Sequence, residues 1–600
     1  MGDYNREPIT IVEIDPDFCG NTYGIAPCTA IISESSTGQK CFNTYVTCQD
    51  RENYDRQTQT LRFVAPHSNS MIAGVNLLPL ISTNREGKVS VSASPTKVNI
   101  GGASANSSPL GKRETVTIKM RDMPYNDAIV DPYRDERPYN PVDKGTFWPK
   151  WLARNPYYQG RNIRVLEGFA GQPLGSFRAR HYIIDSITQP DSSGSVTIKA
   201  FDILRKTDGD KAKYPEVIRC SLSSDVDASQ TTIQAAGAAS DFNVSDPIIS
   251  YGFIRINDEV IAFGSVSDIG GGLIQFNGCT RATNGTEASD HSAEDDIFRC
   301  VRVAGKSWKV AAWLLEGPAK IPSQYIDNAA WDAECEPWIN TFDVSTLLTE
   351  AADVNKLVSE LTQQSLFYIW WDAYEQEIKI KPFQLPGDNV TKINDTESIL
   401  AGTYKESVDD KSRKTQVWVF FGRRDATESL DKDSNYTNLQ VNADEDAESD
   451  NQYGEPRIMK IYSRWINNST QALTLGFRLL ARYRTPPRIV TIELDNKDGL
   501  LGVGDVLDVS HRNLTDVFGD QIERRFEVIS KEDSVMGHKL KVDAQLYDYA
   551  GDVSLRYIRY SPSDYTPDYS SATQEEKDTG YYYADSNGKM PNGDDGYRYF

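Results

Sequence analysis

DPYRDERPYNPVDKGTFWPKWLARNPYYQGRNIRVLEG, residues 131–168, combines several prolines with a dense set of aromatics and ends in the strand-like run 163–166. Phe147, Trp148, Trp151, Tyr157 and Tyr158 are expected to pack a core and anchor loops, because aromatic side chains are usually buried for their area. A sugar-binding platform is the competing reading. On either side lie short alternating segments, at 75–81, 88–92, 97–100 and 114–120 upstream and at 181–187 and 195–203 downstream. In 114–120, Val116, Ile118 and Met120 fall on one face, as a half-buried strand requires. The local pattern is therefore mainly β.

The same pattern extends outward. Residues 60–64 read as a strand leading out of a cysteine-rich N-terminal part, and 101–108 as a Gly/Ser/Ala-rich loop. Residues 216–302 look like an insertion with hairpin-like strands at 252–257 and 259–263, and with Cys279 and Cys300 as packed thiols. Helices are expected at 301–315 and at 343–367, where Val354, Leu357, Val358 and Leu361 recur at helical spacing. Segments 368–372 and 377–382 read as paired strands, which would turn one of the neighbours Trp370 and Trp371 inward and the other outward. Residues 416–421 form a buried strand and 442–450 an acidic, solvated loop. An amphipathic helix at 471–484 is stopped by Pro486-Pro487. Strands at 488–494, 506–510 and 525–529 complete a second β domain. Beyond residue 561 the sequence is polar and acidic, the composition of an extended or partner-ordered segment, with Tyr581, Tyr582, Tyr583, Tyr597, Tyr599 and Phe600 as anchors.

A chain of 600 residues is too long for one core, so several domains are expected. Tyrosine (31), glycine (41) and proline (28) outnumber methionine (7) and histidine (5), which favours strands and turns. The net charge is 64 − 86 = −22, a surface that repels phosphate. Stable nucleic-acid binding is not expected, although DNA would slide past such a wall without sticking. There is no run of eighteen apolar residues, hence no expected membrane span. The opening MGDYNREPITIVEIDPDF is acidic and lacks an apolar run, so no secretory signal is read and thiols are expected to stay reduced in a cytosol.

That expectation frames the cysteines. Cys19, Cys28, Cys41 and Cys48 are separated by eight, twelve and six residues, while Cys220, Cys279, Cys300 and Cys335 are scattered. Four thiolates brought together enclose and neutralise a soft cation or an iron–sulfur cluster. Turn formers fill the intervals, among them Gly20-Asn21, Gly24, Pro27 and Ser36-Thr37-Gly38. Three other readings stay open: two disulfides, four packed thiols, and structural zinc, although no C-x2-4-C knuckle is present. No G-x-S-x-G elbow, H-E-x-x-H helix or P-loop occurs, and the five histidines form no pattern. Catalysis is not expected, and no catalytic residue is assigned.

Several stretches together resemble the tail-tip or baseplate hub proteins of long-tailed bacteriophages and gene transfer agents. They are residues 131–161, RHYIIDSI (180–187), AFDILRKTDGDKAKYP (200–215), YGFIRINDEVIAF (251–263) with NGCTRATNGT (277–286), and the run 355–372 ending in IWWD. The cysteines are similar to those of the lambda-type tail-tip protein L, whose first and last pairs have the same gaps. The middle gap here is shorter, and the module precedes the hub region. By this resemblance, Cys19, Cys28, Cys41 and Cys48 would ligate a [4Fe–4S] cluster, with Zn as the alternative metal.

The resemblance implies an α+β chain, mainly β, with two tail-hub β-barrel domains, an N-terminal Cys-cluster module and an inserted small β domain. The expected division is 1–70 (cysteine module), 71–215 (first hub β domain), 216–302 (insert), 303–400 (helical/strand segment), 401–560 (second hub β domain) and 561–600 (acidic tail). It implies a homotrimer at the virion tail tip, made and assembled in the host cytoplasm. That hub would close the tail tube, contact the tape-measure, distal tail and fibre or receptor-binding proteins, and open for DNA ejection. The competing functions are a tail-associated cell-envelope hydrolase and a receptor- or glycan-binding tail protein.

Overall fold

Pro8–Ile14 (PITIVEI) buries Ile9, Ile11, Val12 and Ile14 completely, so this strand is covered on both faces. A computed structural model describes residues 7–68, 75–83, 89–102, 110–209, 212–243, 246–384, 390–449, 454–495, 501–535, 539–547, 556–557 and 598–599. In it Pro8–Ile14 belongs to a seven-stranded sheet ordered Leu61–Val64, Pro8–Ile14, Asn162–Phe169, Arg178–Ile187, Ser195–Phe201, Thr115–Arg121, Val91–Ser94. Every pairing is antiparallel. Residues 78–82 then bond to strands near both ends of that order. Leu78 and Ile81 donate to the Arg62 and Val64 carbonyls, while Arg121 donates to Leu80 at 2.6 Å and Ser82 to Lys119 at 2.9 Å.

The aromatic stretch 131–168 supplies a helix that packs on this sheet. Phe147–Arg154 is a helix that buries Phe147, Trp148, Trp151 and Leu152. Trp148 stacks on Phe63 with centroids 5.4 Å apart, and its indole N–H donates to the Arg121 carbonyl. These aromatics are core, as their type suggests; Tyr157, at 66% exposure, is not.

A second antiparallel set is ordered Thr391–Asn394, Val506–Thr515, Gln521–Val535, Lys539–Leu546, Arg488–Asp495, Lys405–Val408, with only the first pairing parallel. Its two edge strands are thus consecutive in sequence. Between the two sheets lies the largest core, built on Ser307–Glu316, Val354–Gln364 and Ser469–Tyr483 around the hairpin Phe367–Asp372/Glu377–Pro382. Residues 97–100 tie the halves together. Val98 donates to the Ile529 carbonyl, Lys97 pairs with Asp543 at 3.1 Å, and the Tyr483 hydroxyl donates to the Ile100 carbonyl. The inserted region has its own core around Ile233, Phe242, Ile274 and Phe276, and it connects through Ile297–Lys306 to Asp343–Leu348.

The chain is mainly β with helices grouped in the middle, as expected, but several elements differ. The expected helix at 301–315 is the end of the strand Ile297–Lys306 followed by the helix Ser307–Glu316. Val301 and Val303 point inward alternately and pair with Leu348 and Thr346. The expected helix at 343–367 begins only at Val354, after the strand Asp343–Leu348. Trp370 and Trp371 are both buried, because core covers the hairpin on both sides. Segments 75–81 and 97–100 form isolated bridges instead of strands. Residues 442–449 continue the strand Tyr436–Ala443 and then make one helical turn, Glu445–Glu448. Residue 450, residues 103–108 of the expected loop, and the tail 561–600 apart from 598–599 lie outside the described residues.

Candidate metal centre

The chain leaves the first sheet at Ile14 and rejoins it at Leu61, on the neighbouring strand. Residues 15–60 are therefore one long excursion, closed at its base by Asp17–Cys19 pairing with Arg56–Thr58. Tight turns shape its interior. The Cys28 N–H donates to the Ile25 carbonyl at 2.9 Å and the Cys48 N–H to Tyr45 at 3.3 Å, while the Cys19 N–H donates to the Asn43 carbonyl at 2.7 Å. Asn43 itself is left-handed, at φ 53°, a conformation that asparagine tolerates better than most residues. Its buried side-chain amide donates to the carbonyls of Cys19 (3.1 Å) and Asn21 (3.3 Å), and its Oδ1 accepts from the Cys41 thiol.

All four cysteines of the N-terminal group line one small pocket that opens to solvent, together with Asn43, Tyr23, Gln49 and Asp50. Cys19 and Cys41 are buried, Cys28 and Cys48 half-buried, and all four are free thiols, not disulfides. Burial pushes the Cys41 thiol up, and the charges of Cys48, Cys19 and Cys28 push further. Cys48 is raised in the same way, by burial and then by Cys19 and Cys28. Four ionised thiolates in this space repel one another unless a cation compensates them, which is the electrostatic condition of a metal or cluster site. Among the described residues no three His, Cys, Asp or Glu side chains converge closely enough to hold a single metal ion. A tetrahedral zinc site, with sulfurs at about 2.3 Å from the metal, is therefore not preformed. The four thiols nevertheless line one pocket, and four cysteines are a donor set that an iron–sulfur cluster takes.

Residues 131–154 grip the loop from outside. Arg137 donates to the carbonyls of Lys40 (2.6 Å) and Cys41 (2.9 Å) while pairing with both oxygens of Asp131 at 2.8 Å. The side chains of this pair are 2% and 1% exposed. The Phe42 ring lies 3.9 Å from the guanidinium of Arg137 and 3.9 Å from that of Arg154. Arg154 and Lys150 are in turn held by Asp127. The Tyr133 hydroxyl accepts the Tyr23 N–H at 2.8 Å. Asp50 accepts the N–H and hydroxyl of Thr29 at 2.7 and 2.9 Å, tying the Cys28 turn to the Cys48 turn, and these bonds lower its pKa.

Sequence reasoning named the four cysteines but not Asn43, Asp131, Tyr133, Arg137 or Phe42. The charge-and-aromatic density of 131–139 was the available signal. The other four cysteines are buried in packed surroundings. Burial raises Cys220 and Cys300 to about 12 and Cys279 to about 11, and Cys335 also rises. Such thiols are inert at neutral pH.

No protein-family model and no curated protein matches the sequence. Three solved structures similar to this chain are tail proteins. The tail protein from Neisseria meningitidis MC58 is 9% identical, with 73% of this chain and 90% of that chain covered, at TM-score 0.34. The 43 kDa tail protein of prophage MuSo2 from Shewanella oneidensis is also 9% identical, covering 78% and 97%, at TM-score 0.31. Prophage tail protein gp18 from Listeria monocytogenes EGD-e is 11% identical, covering 75% and 88%, at TM-score 0.29. At these scores the likeness carries no correspondence to the thiol pocket.

Proposed function

We propose that this chain is a structural component of a phage tail, the subunit of a trimeric hub at the tail tip. Its N-terminal excursion holds a [4Fe–4S] cluster on Cys19, Cys28, Cys41 and Cys48. The observation that carries this reading is a coincidence of two independent features. The four cysteines line one pocket, and the loop bearing them is clamped by residues 131–154, part of the stretch on which the sequence resemblance rests. The excursion contributes Tyr23, Cys41 and Ala30 to a small apolar cluster that Tyr133 completes from outside. A cluster bonded to four thiolates would supply the folding energy such a loop lacks, as structural metals do.

The two large sheets support the hub part of the reading. Residues 78–82 bond to strands near both ends of the first order, and the second sheet has edge strands joined by one short run. We read both as closed or nearly closed barrels. Three chains with two barrels each would form a pseudo-sixfold ring, the symmetry of a tail tube, contacting distal tail, tape-measure and fibre proteins. The charge of −22 suits a wall past which DNA moves without binding. Light scattering on the purified chain tests this: a trimer is expected, alone or with the distal tail protein. A monomer under both conditions would contradict it.

A further inference from the structure

The Asp131–Arg137 pair is buried, yet nothing in the first sheet requires a charge there. An ion pair at this depth is costly unless its remaining donors are used. Here the guanidinium spends two of them on the carbonyls of Lys40 and Cys41, the second belonging to a residue whose thiol faces the pocket. The other nearby ion pair, Lys40–Glu136, is more exposed and correspondingly screened.

We propose, building on the reading of the pocket as an iron–sulfur site, that Arg137 and Asp131 position Cys41 and balance the charge of the bound cluster. A cluster with four thiolate ligands is anionic in both oxidation states and gains one further negative charge on taking an electron from a reductant. A fixed cation beside it favours the reduced form, and a fixed anion the oxidised form. Removing only one partner therefore shifts the reduction potential in a direction set by the charge left behind. Arg137→Gln leaves Asp131 alone and lowers the potential. Asp131→Asn leaves Arg137 alone and raises it. Arg137→Lys keeps the cation and stays near the wild type.

The experiment is a dithionite titration of the full chain, reconstituted anaerobically with iron and sulfide and followed by electron paramagnetic resonance. Opposite shifts for Arg137→Gln and Asp131→Asn, with the double variant returning towards wild type, are expected. Loaded variants that shift in the same direction or not at all would overturn the charge-balancing role. Loss of the cluster from all three single variants, Arg137→Lys included, would also overturn it, leaving a clamp that serves only the fold. A wild type that takes up no cluster sinks the site reading itself, a failure distinguishable from the others.

Discussion

Asn43 organises the pocket without bonding a metal. It accepts the Cys19 N–H on its carbonyl, donates to two further carbonyls, and sits at φ 53°. Asn43→Ala loses the side-chain bonds and keeps the backbone strain, an expected cost of about 1–3 kcal/mol. Asn43→Gly relieves the strain and should cost less; thermal melts of the two variants check the order. The cysteines were legible in the sequence because four of one rare, reactive type fell within thirty residues. Asn43 and Arg137 were not, because their roles exist only once 40–43 and 131–137 meet in space. A different residue contributes to the pH response. Asp202 is fully buried, and its pKa is pushed up to about 7 by burial, with Glu114 adding and Arg113 opposing. The folded value lies above the unfolded one, so its contribution is fully present below about pH 4 and is lost as the pH rises through 7. Asp202→Asn should therefore raise the melting temperature relative to wild type more at pH 8 than at pH 5. An equal or reversed difference would show that another group controls this window.

Elements were legible where pattern and punctuation agreed. Ser469–Tyr483 has an apolar face, an Asn468 cap that accepts the Gln471 N–H at 2.9 Å, and prolines just beyond its end. Asn468→Ala is expected to cost about 1 kcal/mol in a denaturant titration. The apolar run 301–315 was ambiguous, since a short buried strand and a buried helix look alike by periodicity. Pairing with Asp343–Leu348, forty residues away, decides it, and no local signal records that partner. The same dependence on distant partners appears at Gly285, where φ is +83° and a Cβ would collide with the Arg424 carbonyl. Gly285→Ala should loosen the inserted region from residues 424–426. The expected loss is about 1–3 kcal/mol, with earlier proteolytic cleavage in the insert.

For the whole molecule, the mainly β character and the multidomain length were readable from composition and alternation. The way the first sheet is bridged was not, because residues 78–82 make isolated bridges that leave no periodic trace. Nor was the hairpin tip at 516–520 apparent, where Asp516 caps a turn that holds Val517 and Phe518 at 93% and 87% exposure. Two apolar side chains displayed on a rigid turn suit a contact with another subunit. Replacing both with aspartate should leave the melting temperature nearly unchanged while weakening the proposed trimer in sedimentation. The cluster proposed for the thiol pocket is tested most directly by its iron and sulfide. Protein purified without oxygen is expected to contain iron and acid-labile sulfide in equal amounts, about four of each per chain, and to be brown. Zinc alone, or four free thiols with no metal, would contradict it.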